Sequence, residues 1–174
     1  MDPFLKAKLT EVEALARADD YTGARQLVAE LITEYPGEAW VWATNAYVEG
    51  RGRNYQDALA HWSKAIELCK NEPHLFYSRG LLFIRLGQYK EAVADFTKVI
   101  ELSDLYDSNY YREPAHFCRA DAYVRLREFD KARSDCSHVK DGERTWTDRL
   151  RSKEDILAEC DSPRVGSGAD PCTM

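Results

Sequence analysis

Histidines, cysteines and paired carboxylates are the side chains from which metal sites, nucleophiles and acid–base pairs are built, and this sequence scatters all three. His61, His74, His116 and His138 share no ligand spacing. His116 and Cys118 stand two apart in what reads as a helix, so they point to different faces and make a poor metal pair. The cysteines, Cys69, Cys118, Cys136, Cys160 and Cys172, contain no Cys-x-x-Cys pair, and an odd number cannot all close into internal bridges. They read as free, mostly buried thiols in a reducing compartment. Asp19-Asp20 precedes a helix and reads as an N-cap. No glycine-rich phosphate loop, nucleophile elbow or His-Glu-x-x-His motif occurs. The expectation is a chain that is not an enzyme and holds no cofactor or metal.

Binding chemistry is more visible. Arg17, Arg51, Arg85 and Arg125 recur at steps of 34, 34 and 40 residues. Arginine offers a planar fork to carboxylates, so a row of four could read an acidic peptide. A second reading stays open beside it. Each arginine falls at a helix C-terminus, where a cation is favoured by roughly 0.3–1 kcal/mol whether or not a ligand comes.

The elements that must position these residues are repeats. Asp20-Tyr-Thr-Gly-Ala-Arg, Asn54-Tyr-Gln-Asp-Ala-Leu, Gln88-Tyr-Lys-Glu-Ala-Val and Glu128-Phe-Asp-Lys-Ala-Arg align. Their aromatics (Tyr21, Tyr55, Tyr89, Phe129) and alanines (Ala24, Ala58, Ala92, Ala132) keep the steps of the arginines, and Ile32, Ile66 and Ile100 keep the 34-residue step. A fixed period of this length is the signature of stacked supersecondary units. Within one unit Leu75, Phe76, Arg79, Gly80 and Phe83 form a helical stripe, Gly87 ends that helix, and a second helix opens near Tyr89 and buries Ala92, Phe96, Val99 and Ile100. Two such helices joined by about three residues pack antiparallel. Ala46, Gly80 and Ala120 sit midway along the first helices, where a missing side chain lets backbones approach. Trp42, Trp62, Phe76 and Phe96 fill the space beside them. One unit cannot cover its own apolar face, so units stack.

A 34-residue helix–turn–helix unit, with an aromatic before the second helix and alanine three residues on, resembles the tetratricopeptide repeat. Trp42 and Phe76 match the family's early aromatic, Ala46, Gly80 and Ala120 its small residue, Trp62 and Phe96 its later aromatic, and Pro36 its terminal proline. The resemblance covers roughly residues 4–140. It implies an all-α fold, a right-handed superhelical solenoid of antiparallel helix pairs. About four units are expected, at 5–36, 39–70, 73–106 and 113–142, within a single domain over 1–160. The first helix departs from the pattern, with Lys8 and Val12 in the aromatic and small positions, and Cys136 replaces the last aromatic. Six extra residues within 103–114 either lengthen the flanking helices or make a longer loop. Their Tyr106, Tyr110 and Tyr111 either form a second partner site or fill the gap. Trp146, Leu150, Lys153, Leu157 and Cys160 share a helical face, which predicts one capping helix over about 144–160. Residues 161–174 read as a flexible tail.

In the resembling family the first helices line a concave groove that holds a partner peptide. Carried over column by column, the groove residues here are Arg17, Trp40, Thr44, Tyr47, Arg51, His74, Tyr77, Ser78, Leu81, Arg85, Phe117, Asp121 and Arg125. Exposed aromatics on such a surface anchor a partner at low entropy cost. Packing of Trp40, Tyr47, Tyr77 and Phe117 against the neighbouring second helices is the alternative. Some members of the family clamp the C-terminal carboxylate of heat-shock chaperones. The clamp columns hold Leu9, Glu13, Thr44, His74 and Ser78 in one register, and Ala43, Tyr47, Ser78, Pro114 and Cys118 in the other, so that activity is not expected.

The net charge of −6 argues against a general binder of nucleic acid or anionic membrane. No apolar stretch approaches a membrane span, and the first residues lack a basic segment followed by an apolar run. A cytoplasmic protein is expected, an adaptor or scaffold that grips a partner's segment, possible acidic character included, with self-association open. A small bacterial secretion-type chaperone for an unfolded client and a regulatory subunit of an enzyme complex are the alternatives.

Overall fold

A computed structural model describes residues 2–106 and 110–161. Eight helices run in pairs: α1 (Pro3–Arg17) with α2 (Tyr21–Glu34), α3 (Ala39–Arg51) with α4 (Tyr55–Leu68), α5 (Pro73–Arg85) with α6 (Tyr89–Leu105), and α7 (Arg112–Arg125) with α8 (Phe129–Cys136). Two short antiparallel strands follow, β1 (Arg144–Trp146) and β2 (Leu150–Ser152), then α9 (Lys153–Asp161). The expected tail lies outside the described residues from 162 onward. Among the described residues no helix is long and apolar enough to cross a membrane.

Local chemistry fixes the helix ends. Pro3 and Pro73 open α1 and α5, where a missing N–H costs nothing. Asp20 caps α2 by accepting the Gly23 N–H at 2.9 Å. Each unit's internal turn closes with the same six-residue hydrogen bond, Asp20 N to Leu15 O, Asn54 N to Glu49 O, Gln88 N to Phe83 O and Glu128 N to Tyr123 O. That turn needs one left-handed residue, and Asp19, Arg53, Gly87 and Arg127 hold it at φ between 61° and 72°. Only unit three spends a glycine on it.

The small-residue column does what its spacing predicts. Ala46, Gly80 and Ala120 are buried, and a Cβ added at Gly80 would lie 2.9 Å from the Phe96 ring. Four apolar clusters follow one another along the chain, each sharing helices with the next: Val12, Val28 and Val41; Ala46, Trp62 and Leu75; Phe76, Phe96 and Val99; Phe117, Cys136 and Ile156. A polar column ties the units as well. Arg79 donates to Asp95 at 2.8 and 2.7 Å and to Ser63 at 3.0 Å in the unit before. Arg119 repeats this with Asp135 at 2.8 and 2.7 Å and Thr97 at 2.9 Å. Burial pushes the Asp95 carboxyl up despite Arg79. Burial opposes the Asp135 charge too, but Arg119 and a further bond from His116 outweigh it and hold that carboxyl down.

Two expectations are changed. The extra residues lengthen a helix, since α6 runs on to Leu105 while α4 stops at Leu68; residues 107–109 lie outside the described stretch. The single helix expected over about 144–160 is a hairpin followed by the shorter α9. The cause is a degenerate spacing. Trp146 and Leu150 are four apart, which puts them on one face of a helix, but they also stand opposite each other across the hairpin. Gly142, in a left-handed conformation just ahead of β1, breaks any helix there.

Candidate functional site: a cavity on the inner face of α3 and α5

The inner face of α3 and α5 carries an open cavity of about 740 Å³. Tyr47 and Arg51 reach it from α3, and Ser78, Leu81 and Arg85 from α5, so five of the expected groove residues meet in one place. Asp19 and Arg53 join from the two turns beside it, and Trp146 and Thr147 from the hairpin. The cavity therefore combines apolar walls with three guanidinium groups and one carboxylate.

The four arginines of the repeating column have four different surroundings. Arg17 is exposed, pairs with Glu13 at 3.4 Å, and stands outside the cavity. Arg51 reaches Asp19 at 3.4 Å across largely exposed ground. A hydrogen bond from the Tyr21 hydroxyl, helped by Arg51, holds that carboxyl below its usual range. Arg85 lies over the Tyr55 ring at 5.8 Å and makes no ion pair among the described residues. Arg125 is committed: it donates to both carboxylate oxygens of Asp148 at 3.0 and 3.2 Å, lies over the Tyr89 ring and stands 3.7 Å from Asp121.

Three other expected groove residues are removed from a partner's reach. Thr44, Phe117 and Asp121 are buried. Phe117 belongs to the core under α9, because the short α8 leaves space that Phe117, Ile156 and Cys160 fill. Asp121 is covered by the hairpin. Its Oδ1 lies 3.0 Å from the Arg151 guanidinium, an off-axis ion pair in which both side chains are closed to water. Trp40, His74 and Tyr77 are partly buried and meet in one aromatic cluster. His74 stacks on Trp40 at 5.7 Å and meets Trp62 and Tyr111 at 5.9 Å, and Tyr77 meets Tyr111 and Phe96. Tyr111 thus fills the space beside the lengthened helix, while Tyr110 remains exposed. Burial lowers the His74 pKa and raises that of the Tyr77 phenol. Burial also pushes the Cys118 thiol, 3.6 Å from the Tyr77 hydroxyl, up to about 12, which leaves no thiolate for chemistry.

Sequence reasoning missed Trp146, Asp148 and Arg151. The available signal was the run Arg144-Thr-Trp-Thr-Asp148 after Gly142, whose β-branched and aromatic residues favour a strand.

By architecture this is a solenoid of stacked helix pairs. Its helix pairs are similar to the tetratricopeptide repeat. The family's pattern matches residues 73–104, the α5–α6 pair. Mouse DnaJ homolog subfamily C member 7 is 28% identical over 89 residues, 51% of this chain and 18% of that protein, so the match spans less than a fifth of the relative's length. MamA from Desulfovibrio magneticus RS-1 superposes with a TM-score of 0.67 at 16% identity, over 79% of this chain and 75% of that one. The first tetratricopeptide domain of Spaghetti (RPAP3), solved with the HSP90 peptide SRMEEVD, superposes with a TM-score of 0.59 at 17% identity, over 74% and 94%.

Proposed function

We propose that this chain is a non-catalytic adaptor that binds a segment of another protein on the inner face of α3 and α5. The observation that carries the reading is the meeting of Tyr47, Leu81, Arg51 and Arg85 in one cavity. Tyrosine and leucine supply area to bury, and arginines with weak or absent internal partners supply charge for carboxylates. The segment is therefore acidic. The Spaghetti domain, of the same fold, was solved with a peptide that carries Glu, Glu and Asp. The heat-shock carboxylate clamp is not the mode here, because its columns hold other residues. Tyr77 is not an anchor in this reading, since its partly buried ring packs against Phe96 and Tyr111 and does not line the cavity.

Capture from native lysate with crosslinking and mass spectrometry tests the proposal. A partner held by the wild-type chain should be lost from a Tyr47→Ala, Arg85→Ala variant whose melting is nearly unchanged. Crosslinks confined to the outer face of α2, α4 and α6 would overturn it.

A further inference from the structure

The cavity has one wall that no repeat supplies. Trp146 lines it, and Trp146 is 63% exposed. Leu150, its partner across the strand pair, is 52% exposed, so the two make an apolar pair on one hairpin face. The alternate residues fasten the hairpin: Thr147 and Arg151 are buried, with Arg151 on Asp121, and Asp148 at the turn is bound to Arg125. A hairpin so firmly held that still leaves its largest apolar side chain in water, at the mouth of a cavity, presents that side chain for contact.

The hairpin also shows what the arginine column does with a carboxylate. Arg51, Arg85 and Arg125 stand in equivalent places, and Asp148 sits on the last of them with both oxygens bonded. Around the cavity Arg51, Arg53 and Arg85 face Asp19 alone. Resting on the reading of this face as the partner site, we infer that the C-terminal hairpin is a structural part of it. Its Asp148 fills the Arg125 position, and its Trp146 forms an apolar wall. The groove then takes an acidic segment that carries one large apolar side chain for Trp146, Tyr47 and Leu81, with carboxylates for Arg85 and Arg51. Trp146 sets the apolar half of the specificity and the arginines the acidic half.

Panning a phage-displayed library of random short peptides against the full chain and its variants tests this. The wild-type chain should enrich peptides in which Asp or Glu flank Trp, Phe or Leu. Trp146→Ala should erase the apolar preference, keep the acidic one and weaken the best wild-type peptide about tenfold, the worth of one good aromatic contact. Trp146→Phe should restore both, and neither variant should shift the melting temperature. If Trp146→Ala enriches the same peptides with the same affinity, the hairpin's part in the site is wrong and the α3–α5 groove survives. If the wild-type chain enriches no acidic peptide, or one indifferent to Tyr47→Ala with Arg85→Ala, the groove reading falls and this inference with it.

Discussion

Arg85 and Arg125 end the first helix of consecutive repeats, in the same column and one residue before the same turn. Arg85 faces a cavity and has no carboxylate among the described residues, whereas Arg125 is bound to Asp148 and stands beside buried Asp121. The repeat places the cation in both. What differs is the chain after it: unit three is followed by another unit, unit four by a hairpin that folds back onto α7. A shared repeat column therefore fixes where a group stands and leaves its role to whatever covers it.

Removing the cover's anchor should have the largest effect. Asp121→Ala leaves the buried Arg151 guanidinium with only the half-exposed Glu159, 3.4 Å away, which costs about 3 kcal/mol. Denaturant unfolding should show that loss, and hydrogen exchange should show the hairpin amides deprotected. Asp121→Ala with Arg151→Met should recover most of the stability. A single variant as stable as the wild type would mean that unit four is as open as unit three.

The turns give a smaller contrast. Gly87 and Arg53 hold the same left-handed position. Gly87→Arg, which makes unit three resemble unit two, should cost about 1 kcal/mol in chemical denaturation. Arg53→Gly should gain about half of that, because the glycine's freedom in the unfolded chain offsets the relieved strain. The same Arg53→Gly should weaken an acidic peptide, so that stability and binding move in opposite directions.

Much of this was legible in the sequence for a definite reason. Ala46, Gly80 and Ala120 declare the helix crossings, because a close approach excludes every larger side chain. The arginine and alanine columns declare the register. The Arg79–Asp95 and Arg119–Asp135 pairs were not read from the sequence although their spacing is equal in two units, and their partners Ser63 and Thr97 come from the unit before, so only stacking reveals them. The hairpin was not legible, because an i, i+4 apolar pair serves a helix and a tight hairpin equally. From that one ambiguity follow the burial of Asp121 and the commitment of Arg125. Phe117 was misplaced for a related reason: the shortness of α8, which opens its pocket to α9, is a tertiary fact with no period to betray it.

Acid should separate the two halves more gently. Burial among Trp40, Trp62 and Tyr111 depresses the His74 pKa below its ordinary 6.5. The unfolded chain then binds the proton more readily than the folded one, so this group costs nothing above pH 6.5 and destabilises as pH falls through it. Glu49 and Asp135, whose carboxyls are held low, give up their share only further down, as pH falls below the ordinary carboxylate range. Melting followed from about pH 7.5 to about pH 5.5 should therefore fall in the wild type and fall less in His74→Gln. Equal slopes would place the early acid sensitivity outside the unit-three cluster. His61, also depressed by burial, is the next group to replace.

The smallest stability effect carries the comparison furthest. Arg85→Ala removes a cation that makes no ion pair among the described residues, so folding should change by less than about 0.5 kcal/mol. Arg125→Ala strips the charge-assisted bonds from Asp148 and should cost about 1–3 kcal/mol. Binding of an acidic peptide should rank the other way, with Arg85→Ala damaging and Arg125→Ala nearly neutral, since Asp148 already occupies that guanidinium. Asp148→Ala links the two cases. It frees Arg125 and should let the groove hold a peptide with one further carboxylate, with a steeper salt dependence of affinity. If Arg85→Ala instead destabilises the fold as much as Arg125→Ala does, both arginines are structural, and the column speaks of helix ends rather than of a ligand.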